Sequence, residues 1–132
     1  MTLHSWITIS PSDPRPLYLQ VIEQVRRRVA VGDLTPGAEL PSIRQLASEL
    51  QVSVITIKRA YLELERDGVI LTRQGKGSVV AERPNLQSSL QERELREHLE
   101  HAVNLGLLLG KSKTEMQRQI AEVYELAQKG KK

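Results

Sequence analysis

The feature that most constrains the fold is a pair of helix start signals that lie eleven residues apart in the middle of the chain. Ser42, with Gln45 three residues later, matches a capping box, and apolar residues then repeat at i, i+3, i+4 and i+7. Ser53 is a second cap candidate, and only two residues separate it from the end of the first helix. We therefore expect two helices, over residues 43–50 and 54–66, joined by a tight turn.

The start of the second helix shows a conflict between propensity and period. Residues 52–57 are Val-Ser-Val-Ile-Thr-Ile, and five of these six are β-branched, which favours a strand. The apolar residues that follow repeat with a helical period, and Gly68 supplies a stop signal. The residues of this apolar stripe are Ile57, Ala60, Tyr61 and Leu64. We predict a helix, because the periodic segment is longer than the β-branched run.

The segments on either side of this pair predict one more helix and a hairpin. An extended arm that contains Pro11, Pro14 and Pro16 leads into an amphipathic helix over residues 16–31. After the pair, the short apolar runs "VILTR" and "SVVA" flank the glycine turn "QGKG", a pattern typical of a β-hairpin. The fold class predicted for this part is α+β.

The rest of the chain has a different organisation. A polar, Pro-containing linker over residues 82–89 precedes an amphipathic helix over residues 90–108, and a capping box at Ser112 begins a last helix. We therefore expect a first domain over residues 1–83, followed over residues 84–132 by a linker and a two-helix hairpin.

Composition excludes several classes of protein. The chain contains no Cys, so it forms no disulfide, offers no thiolate to zinc and has no Cys nucleophile. No apolar run approaches the ~18 residues of a membrane span, and the first residues do not resemble a secretory signal. These features predict a soluble, cytoplasmic protein without a membrane partner. The formal charge of +3 permits an acidic partner, so the placement of individual cations decides.

Two helices joined by a tight turn and followed by a hairpin are the parts of a winged helix-turn-helix, which binds double-stranded DNA. The second helix fits the major groove, and its first residues contact base edges. On a helical wheel Ile55 and Arg59 lie opposite the apolar stripe, and Val54, Thr56 and Lys58 flank it. We predict that residues 53–59 face DNA. The other candidate contacts are Arg44 on the first helix of the pair and Arg73, Gly75 and Lys76 in the hairpin.

Two further motifs have simpler interpretations. The string "GKGS" contains the glycines and Lys of a phosphate loop, but the full G-x-x-x-x-G-K-[ST] spacing is absent. His98 and His101 share a predicted helix with Glu94 and Glu97, where a metal would need ligands from elsewhere, so a solvated helix face is simpler. We find no catalytic constellation, and we expect no enzymatic activity, no cofactor and no metal.

The two C-terminal helices carry more apolar surface than a helical hairpin buries by itself, most visibly in "LGLLLG". This surface would be covered by docking on the first domain, by a second copy of the chain, or by both. A twofold dimer would place two recognition helices on one face of DNA. The candidate dimerisation residues are Leu95, Leu99, Val103, Leu107, Met116, Ile120 and Val123.

Four motifs, "PLYLQ", "GDLTPGAELPSIRQLA", "AYLELERDG" and "RQGKG", together resemble the DNA-binding domain of the GntR family of bacterial transcription regulators. The short two-helix tail resembles the YtrA subfamily, whose members are homodimers often linked to transporter operons. The resemblance implies a homodimer, usually a repressor, that binds an inverted-repeat operator. By the same resemblance the DNA contacts are Ser42, Arg44, residues 53–58, Arg73, Gly75 and Lys76.

One departure from the subfamily pattern concerns base recognition. Many relatives have Asn-Pro-Asn-Thr or Ser-Arg-Asn-Thr where this chain has Ser53, Val54, Ile55 and Thr56. Polar side chains that read bases are thus replaced by hydrocarbon. We hypothesise that Val54, Ile55 or both contact thymine methyl groups in the major groove.

Two other classes of function compete with DNA binding. In the first, the winged domain is a protein-interaction module and its basic face is incidental. In the second, the helical tail houses a metal or an unknown small-molecule effector that changes operator affinity.

Overall fold

The structure is a computed structural model that describes residues 7–73 and 77–131. Within these residues the chain forms five helices and one two-stranded antiparallel sheet, as the α+β prediction requires. The elements are α1 (Leu17–Ala30), α2 (Ile43–Leu50), α3 (Val54–Arg66), β1 (Ile70–Arg73), β2 (Gly77–Val80), α4 (Leu86–Leu108) and α5 (Lys113–Lys129).

Both serines of the helix start signals cap their helices. Among the described residues Ser42 forms only one half of the predicted capping box, since no bond joins its backbone N–H to the Gln45 side chain. The Ser42 hydroxyl accepts a hydrogen bond from the backbone N–H of Gln45 at 3.0 Å, and the Ser53 hydroxyl accepts one from Thr56 at 3.1 Å. Each bond satisfies one of the N–H groups that have no partner within the helix. Between the helices, Gln51 adopts a left-handed conformation with φ of 57°. This conformation ends α2 and turns the chain directly into α3.

The helix α3 lies at the centre of the core and packs against both α1 and α2. The stripe formed by Ile57, Ala60, Tyr61 and Leu64 is buried, so the helical period predicted for this segment is confirmed. An ion pair between Arg26 of α1 and Asp67, just after α3, also links these two helices. The largest fully buried side chains are Leu46, Ile57, Leu64, Ile70, Val21, Val25, Val69 and Val80.

The arm before α1 is held along that helix by two glutamines. The Thr8 N–H donates to Gln24 Oε1 at 2.8 Å, and Gln24 Nε2 donates to the Thr8 carbonyl at 2.5 Å. The Ser10 N–H donates to Gln20 Oε1 at 3.0 Å, and Gln20 is itself buried. Ile7 adds its side chain to the core.

The sheet pairs β1 with β2, with Ile70 opposite Val80 and Arg73 opposite Gly77. The connector between α1 and α2, predicted only as a turn-rich loop, also pairs with β2. The Leu40 N–H donates to the Ser78 carbonyl, and the Val80 N–H donates to the Ala38 carbonyl, each at 2.9 Å. The hairpin is therefore fixed to the segment that leads into α2.

The helix α4 begins four residues before the predicted span of 90–108, and the predicted linker over residues 82–89 is wrong in its second half. The physical reason is tertiary: Leu86 and Leu90 are one helical turn apart, and both are buried in the core. Ser89, the last residue of the predicted linker, consequently lies inside the helix.

Two glutamines of α4 also satisfy the C-terminal end of α1. Gln87 Nε2 and Gln91 Nε2 both donate to the Ala30 carbonyl, at 3.0 and 2.8 Å. This carbonyl belongs to the last turn of α1, where helical partners run out. The start of α4 is thus joined to α1 by hydrogen bonds as well as by apolar packing.

The chain divides into two compact units, and the second begins at Glu92. In this second unit the capping box at Ser112 is complete, since Ser112 and Glu115 exchange side-chain to backbone hydrogen bonds in both directions. The backbone of Gly106 lies directly under the Met116 side chain, where a Cβ atom would clash. Within the described residues, no helix is long and apolar enough to cross a membrane.

Candidate nucleic-acid interface

The relative placement of α2 and α3 is fixed by Tyr61. Its side chain is buried between the helices of the core, and its hydroxyl donates to the Pro41 carbonyl at 2.7 Å. Pro41 is the residue before the cap of α2, so this bond joins the middle of α3 to the start of α2. Burial raises the pKa of the Tyr61 hydroxyl, so it stays protonated as a donor.

The first turn of α3 presents hydrocarbon to the surface. The hydroxyls of Ser53 and Thr56 lie 2.8 Å apart and hydrogen-bond each other. Beside them Val54 is 46% exposed and Ile55 is 78% exposed. The polar groups of this turn are therefore engaged locally, while its apolar groups face outward.

Two predicted cations lie exposed on the helix pair. Arg44 on the first turn of α2 and Lys58 on the second turn of α3 form no ion pair with any residue that the structure describes. Their side chains are thus free to meet an anion. Ser42, the remaining predicted contact on this pair, is exposed at the N-terminal end of α2.

Arg59, also predicted to contact DNA, has a partner within the chain. Its guanidinium lies over the ring of Tyr18 in α1, 3.8 Å from the ring centre, a cation–π arrangement. This contact holds the Arg59 side chain toward α1. The sequence does not predict this contact, because Tyr18 lies 41 positions before Arg59 and no local pattern links the two residues.

The hairpin carries the third group of predicted contacts. Arg73 is exposed at the end of β1, with a guanidinium nitrogen 3.9 Å from a carboxylate oxygen of Glu82. An exposed pair at this distance contributes little to stability, so Arg73 can exchange it for another anion. Gly75 and Lys76, the two predicted contacts at the turn itself, lie outside the described residues.

The His pair of α4 shows ordinary surface geometry. His98 Nε2 lies 3.6 Å from Glu94 Oε1, one helical turn away, and both side chains contact solvent. Among the described residues, no group of three or more His, Asp or Glu side chains could hold a metal ion.

The predicted dimerisation residues are almost all exposed in the single chain. In α4 these are Leu95, Leu99, Val103 and Leu107, and in α5 they are Ile120 and Val123, while Met116 is half-buried against Gly106. None of the residues of α5, all of which the structure describes, is buried. The second unit therefore presents a large apolar surface.

A capped, outward-facing α3 that follows α2 after only three residues and is itself followed by a β-hairpin defines a winged helix-turn-helix domain. The model of bacterial regulatory proteins of the gntR family matches residues 17–80. The chain is 39% identical over 102 residues to the uncharacterized HTH-type transcriptional regulator YhcF of Bacillus subtilis. The aligned residues cover 77% of this chain and 84% of that protein. The chain therefore belongs to the GntR family of bacterial regulatory proteins.

The match to a second relative narrows the assignment. The HTH-type transcriptional repressor YtrA of Bacillus subtilis is 38% identical over 86 residues, 65% of either chain. The solved structure of YtrA from Sulfolobus acidocaldarius, a GntR-family transcription factor, matches with a TM-score of 0.59 and 33% identity, covering 76% of this chain and 99% of that one. The protein is thus a YtrA-like member of the family, a transcription regulator and not an enzyme.

Two further solved structures are similar. A GntR family transcriptional regulator from Listeria monocytogenes matches with a TM-score of 0.73 and 30% identity, over 86% of this chain and 97% of that one. The AraR DNA-binding domain in complex with operator ORX1 matches with a TM-score of 0.50 and 29% identity, over 55% of this chain and 90% of that one.

Proposed function

We propose that the protein is a homodimeric repressor that binds an inverted-repeat operator through α2, α3 and the hairpin. The observation that carries this proposal is the exposed face of the helix pair, where Arg44 and Lys58 stand without described ionic partners beside the first turn of α3. Cations at such positions meet phosphate oxygens, while the first turn of the second helix meets base edges. The similar AraR domain was solved with an operator, which supports this use of the fold.

The same proposal assigns a role to each group of predicted contacts. Ser42 and Arg44 meet the DNA backbone from α2, residues 53–58 enter the major groove, and Arg73 of the hairpin meets an adjacent phosphate. Gly75 and Lys76 belong to this hairpin contact by the family resemblance. Arg59 would contact DNA from the side of α3 that faces α1, since its guanidinium is stacked on Tyr18.

The dimer is proposed from the C-terminal helices. A helix of 17 residues without a buried face gains little stability from its own hydrogen bonds and needs tertiary packing. The exposed apolar residues of α4 and α5 are compatible with a four-helix contact between two copies, related by a twofold axis. We therefore assign Leu95, Leu99, Val103, Leu107, Met116, Ile120 and Val123 to this contact, within the predicted C-terminal region of residues 84–132.

Repression is proposed because YtrA, whose sequence is similar over 86 residues, is named a repressor. A dimer seated on a promoter would block polymerase by occupying its site. This action takes place on chromosomal DNA, so we place the protein in the bacterial cytoplasm. Because YtrA-like regulators are often linked to transporter operons, we propose that the regulated genes belong to such an operon.

An effector, where one exists, must satisfy linkage. A small molecule that lowers operator affinity must itself bind less tightly to the operator-bound protein, by the same factor. Calorimetric titration of candidate compounds with and without operator would detect this reciprocity.

The test of DNA binding measures the salt dependence of affinity. A duplex enriched from a random library by the wild-type protein is titrated at several salt concentrations by fluorescence anisotropy. The logarithm of the association constant falls linearly with the logarithm of the salt concentration. Removing one phosphate contact in each half-site of a dimer should make this negative slope shallower by about 2. We expect this change for Arg44→Ala and for Lys58→Ala.

Arg66→Ala is the matched control, because Arg66 is an exposed cation at the opposite end of α3, paired with Glu63. This variant should keep the wild-type slope. If wild-type protein enriches no sequence, or if all three variants keep the same slope, the proposed interface is wrong. If DNA binding survives in Arg44→Ala and Lys58→Ala, and pull-downs without DNA show a protein partner on the same face, the alternative that the winged domain is a protein-interaction module gains support.

A further inference from the structure

Ile55 is chemically out of place on a surface made to bind a polyanion. It is an aliphatic side chain with 78% of its surface exposed, on the first turn of α3. A single exposed aliphatic residue is common on protein surfaces and needs no explanation by itself. Its surroundings decide whether this one has a role.

The polar groups around Ile55 are engaged in local hydrogen bonds, so the outward surface of this turn is mainly hydrocarbon. Ser53 and Thr56, which flank Ile55 in the sequence, direct their hydroxyls at each other over 2.8 Å. The Ser53 oxygen also accepts the Thr56 N–H, so this hydroxyl is committed to the cap. Val54, 46% exposed, extends the apolar surface. Lys58 lies less than one helical turn beyond Ile55 and supplies the nearest positive charge on the helix.

We infer that Ile55 is a specificity-determining residue that contacts the 5-methyl group of thymine in the major groove. The inference rests on the proposed function, because it requires that the first turn of α3 enters the groove. Among the four bases, only thymine presents a methyl group there, and apolar side chains read it. An aliphatic side chain forms no hydrogen bond with the edges of guanine, adenine or cytosine, so Ile55 favours A·T pairs at its position.

The chain supplies its own control for a general effect of exposed hydrocarbon. Leu62 lies on the same outward face of α3 and is 53% exposed. It is seven residues beyond Ile55, which places it about 10 Å farther along the helix axis. Since the first turn of the recognition helix enters the groove, Leu62 lies beyond the base edges.

The experiment removes the methyl group from the DNA, so that its main result needs no protein variant. Each thymine of the enriched duplex is replaced in turn by deoxyuridine, which keeps every hydrogen-bonding group and lacks only the 5-methyl. Loss of one buried methyl contact corresponds to about 0.8 kcal/mol, or about fourfold in affinity. We expect one thymine per half-site at which wild-type protein loses about fourfold, and about fifteenfold when both half-sites are replaced.

The protein variants then assign this loss to a side chain. Ile55→Ala should bind the thymine and deoxyuridine duplexes equally, while Leu62→Ala should keep the fourfold difference. If no thymine of the duplex is sensitive with wild-type protein, or if Ile55→Ala keeps the full difference, the inference is overturned while DNA binding stands. If wild-type protein enriches no duplex at all, the proposed function fails first and the inference falls with it.

Discussion

Replacing Tyr61 by Phe tests the bond that fixes the two helices of the interface. The hydroxyl donates to the Pro41 carbonyl at 2.7 Å, and both residues are buried. Phe fills the same space but leaves this carbonyl without its donor. An unsatisfied buried acceptor costs about 1–3 kcal/mol, so we expect the free energy of unfolding to fall by about 2 kcal/mol.

Urea denaturation followed by far-UV circular dichroism measures this change. With a slope of about 2 kcal/mol per M, the midpoint should fall by about 1 M. The protein concentration is held fixed, because the proposed dimerisation would also contribute to stability. Tyr124→Phe is the control, since Tyr124 is 64% exposed and should shift stability by less than about 0.5 kcal/mol. Equal midpoints for the two variants would refute the role of the Tyr61 hydroxyl.

The same residue predicts a dependence on alkaline pH. Burial raises the pKa of Tyr61 in the folded protein, while in the unfolded chain it ionises near pH 10. The unfolded state therefore releases this proton first as the pH rises. The stability contributed by the neutral hydroxyl is complete below about pH 10 and is lost as the pH rises toward the folded pKa. The gap in stability between wild type and Tyr61→Phe should narrow above pH 10; a gap that stays constant there would contradict this assignment.

The remaining predictions concern the packing of α4, the caps and the dimer. Leu86→Ala should lower the free energy of unfolding by about 2–5 kcal/mol in urea titrations, whereas exposed Leu62→Ala should change it little. Equal effects would show that Leu86 is not packed in the core. Ser53→Ala should cost about 1 kcal/mol, measured the same way, because it removes the cap of α3. The Ser112 backbone N–H lowers the pKa of Glu115, so its contribution is lost as the pH falls through that pKa, and Glu115→Gln should flatten this acid dependence. Leu99→Glu should shift the sedimentation coefficient from dimer to monomer, and an unchanged dimer would exclude this face.

The pair α2 and α3 could be predicted from the sequence because its signals are local. The caps Ser42 and Ser53 and the apolar period of α3 lie within a few residues of the structure they specify. The β-branched start of α3 does not alter this outcome, since the buried face begins at Ile57 and extends two turns. Local propensity is thus overridden by burial along a longer segment.

The start of α4 could not be predicted in the same way. Pro84 and the serines after it resemble a linker. Leu86, which packs into a distant core together with Leu90, extends the helix back into this segment. The pairing of residues 37–40 with β2 has the same origin. Both features depend on contacts between segments far apart in the sequence, which no local pattern reports.

In the candidate site, too, the features set by local sequence could be predicted and those set by distant contacts could not. Positions that face outward on α3 follow from helical geometry, so Ile55 and Lys58 were predictable from the wheel alone. The partners of Arg59 and Arg73 were not, because Tyr18 and Glu82 come from other segments of the chain. In the proposed complex these two cations would approach DNA from positions already biased by contacts within the protein.

Binding of a specific operator by two copies of this chain can be measured in one titration. Labelled duplex enriched by the wild-type protein is titrated at near-physiological salt, in parallel with a scrambled duplex of the same composition. We predict a Kd in the nanomolar range or tighter, two chains per duplex, and an affinity at least about 10³-fold above that for the scrambled duplex. Equal affinity for both duplexes, or no binding to either, would show that the chain does not recognise an operator by its sequence.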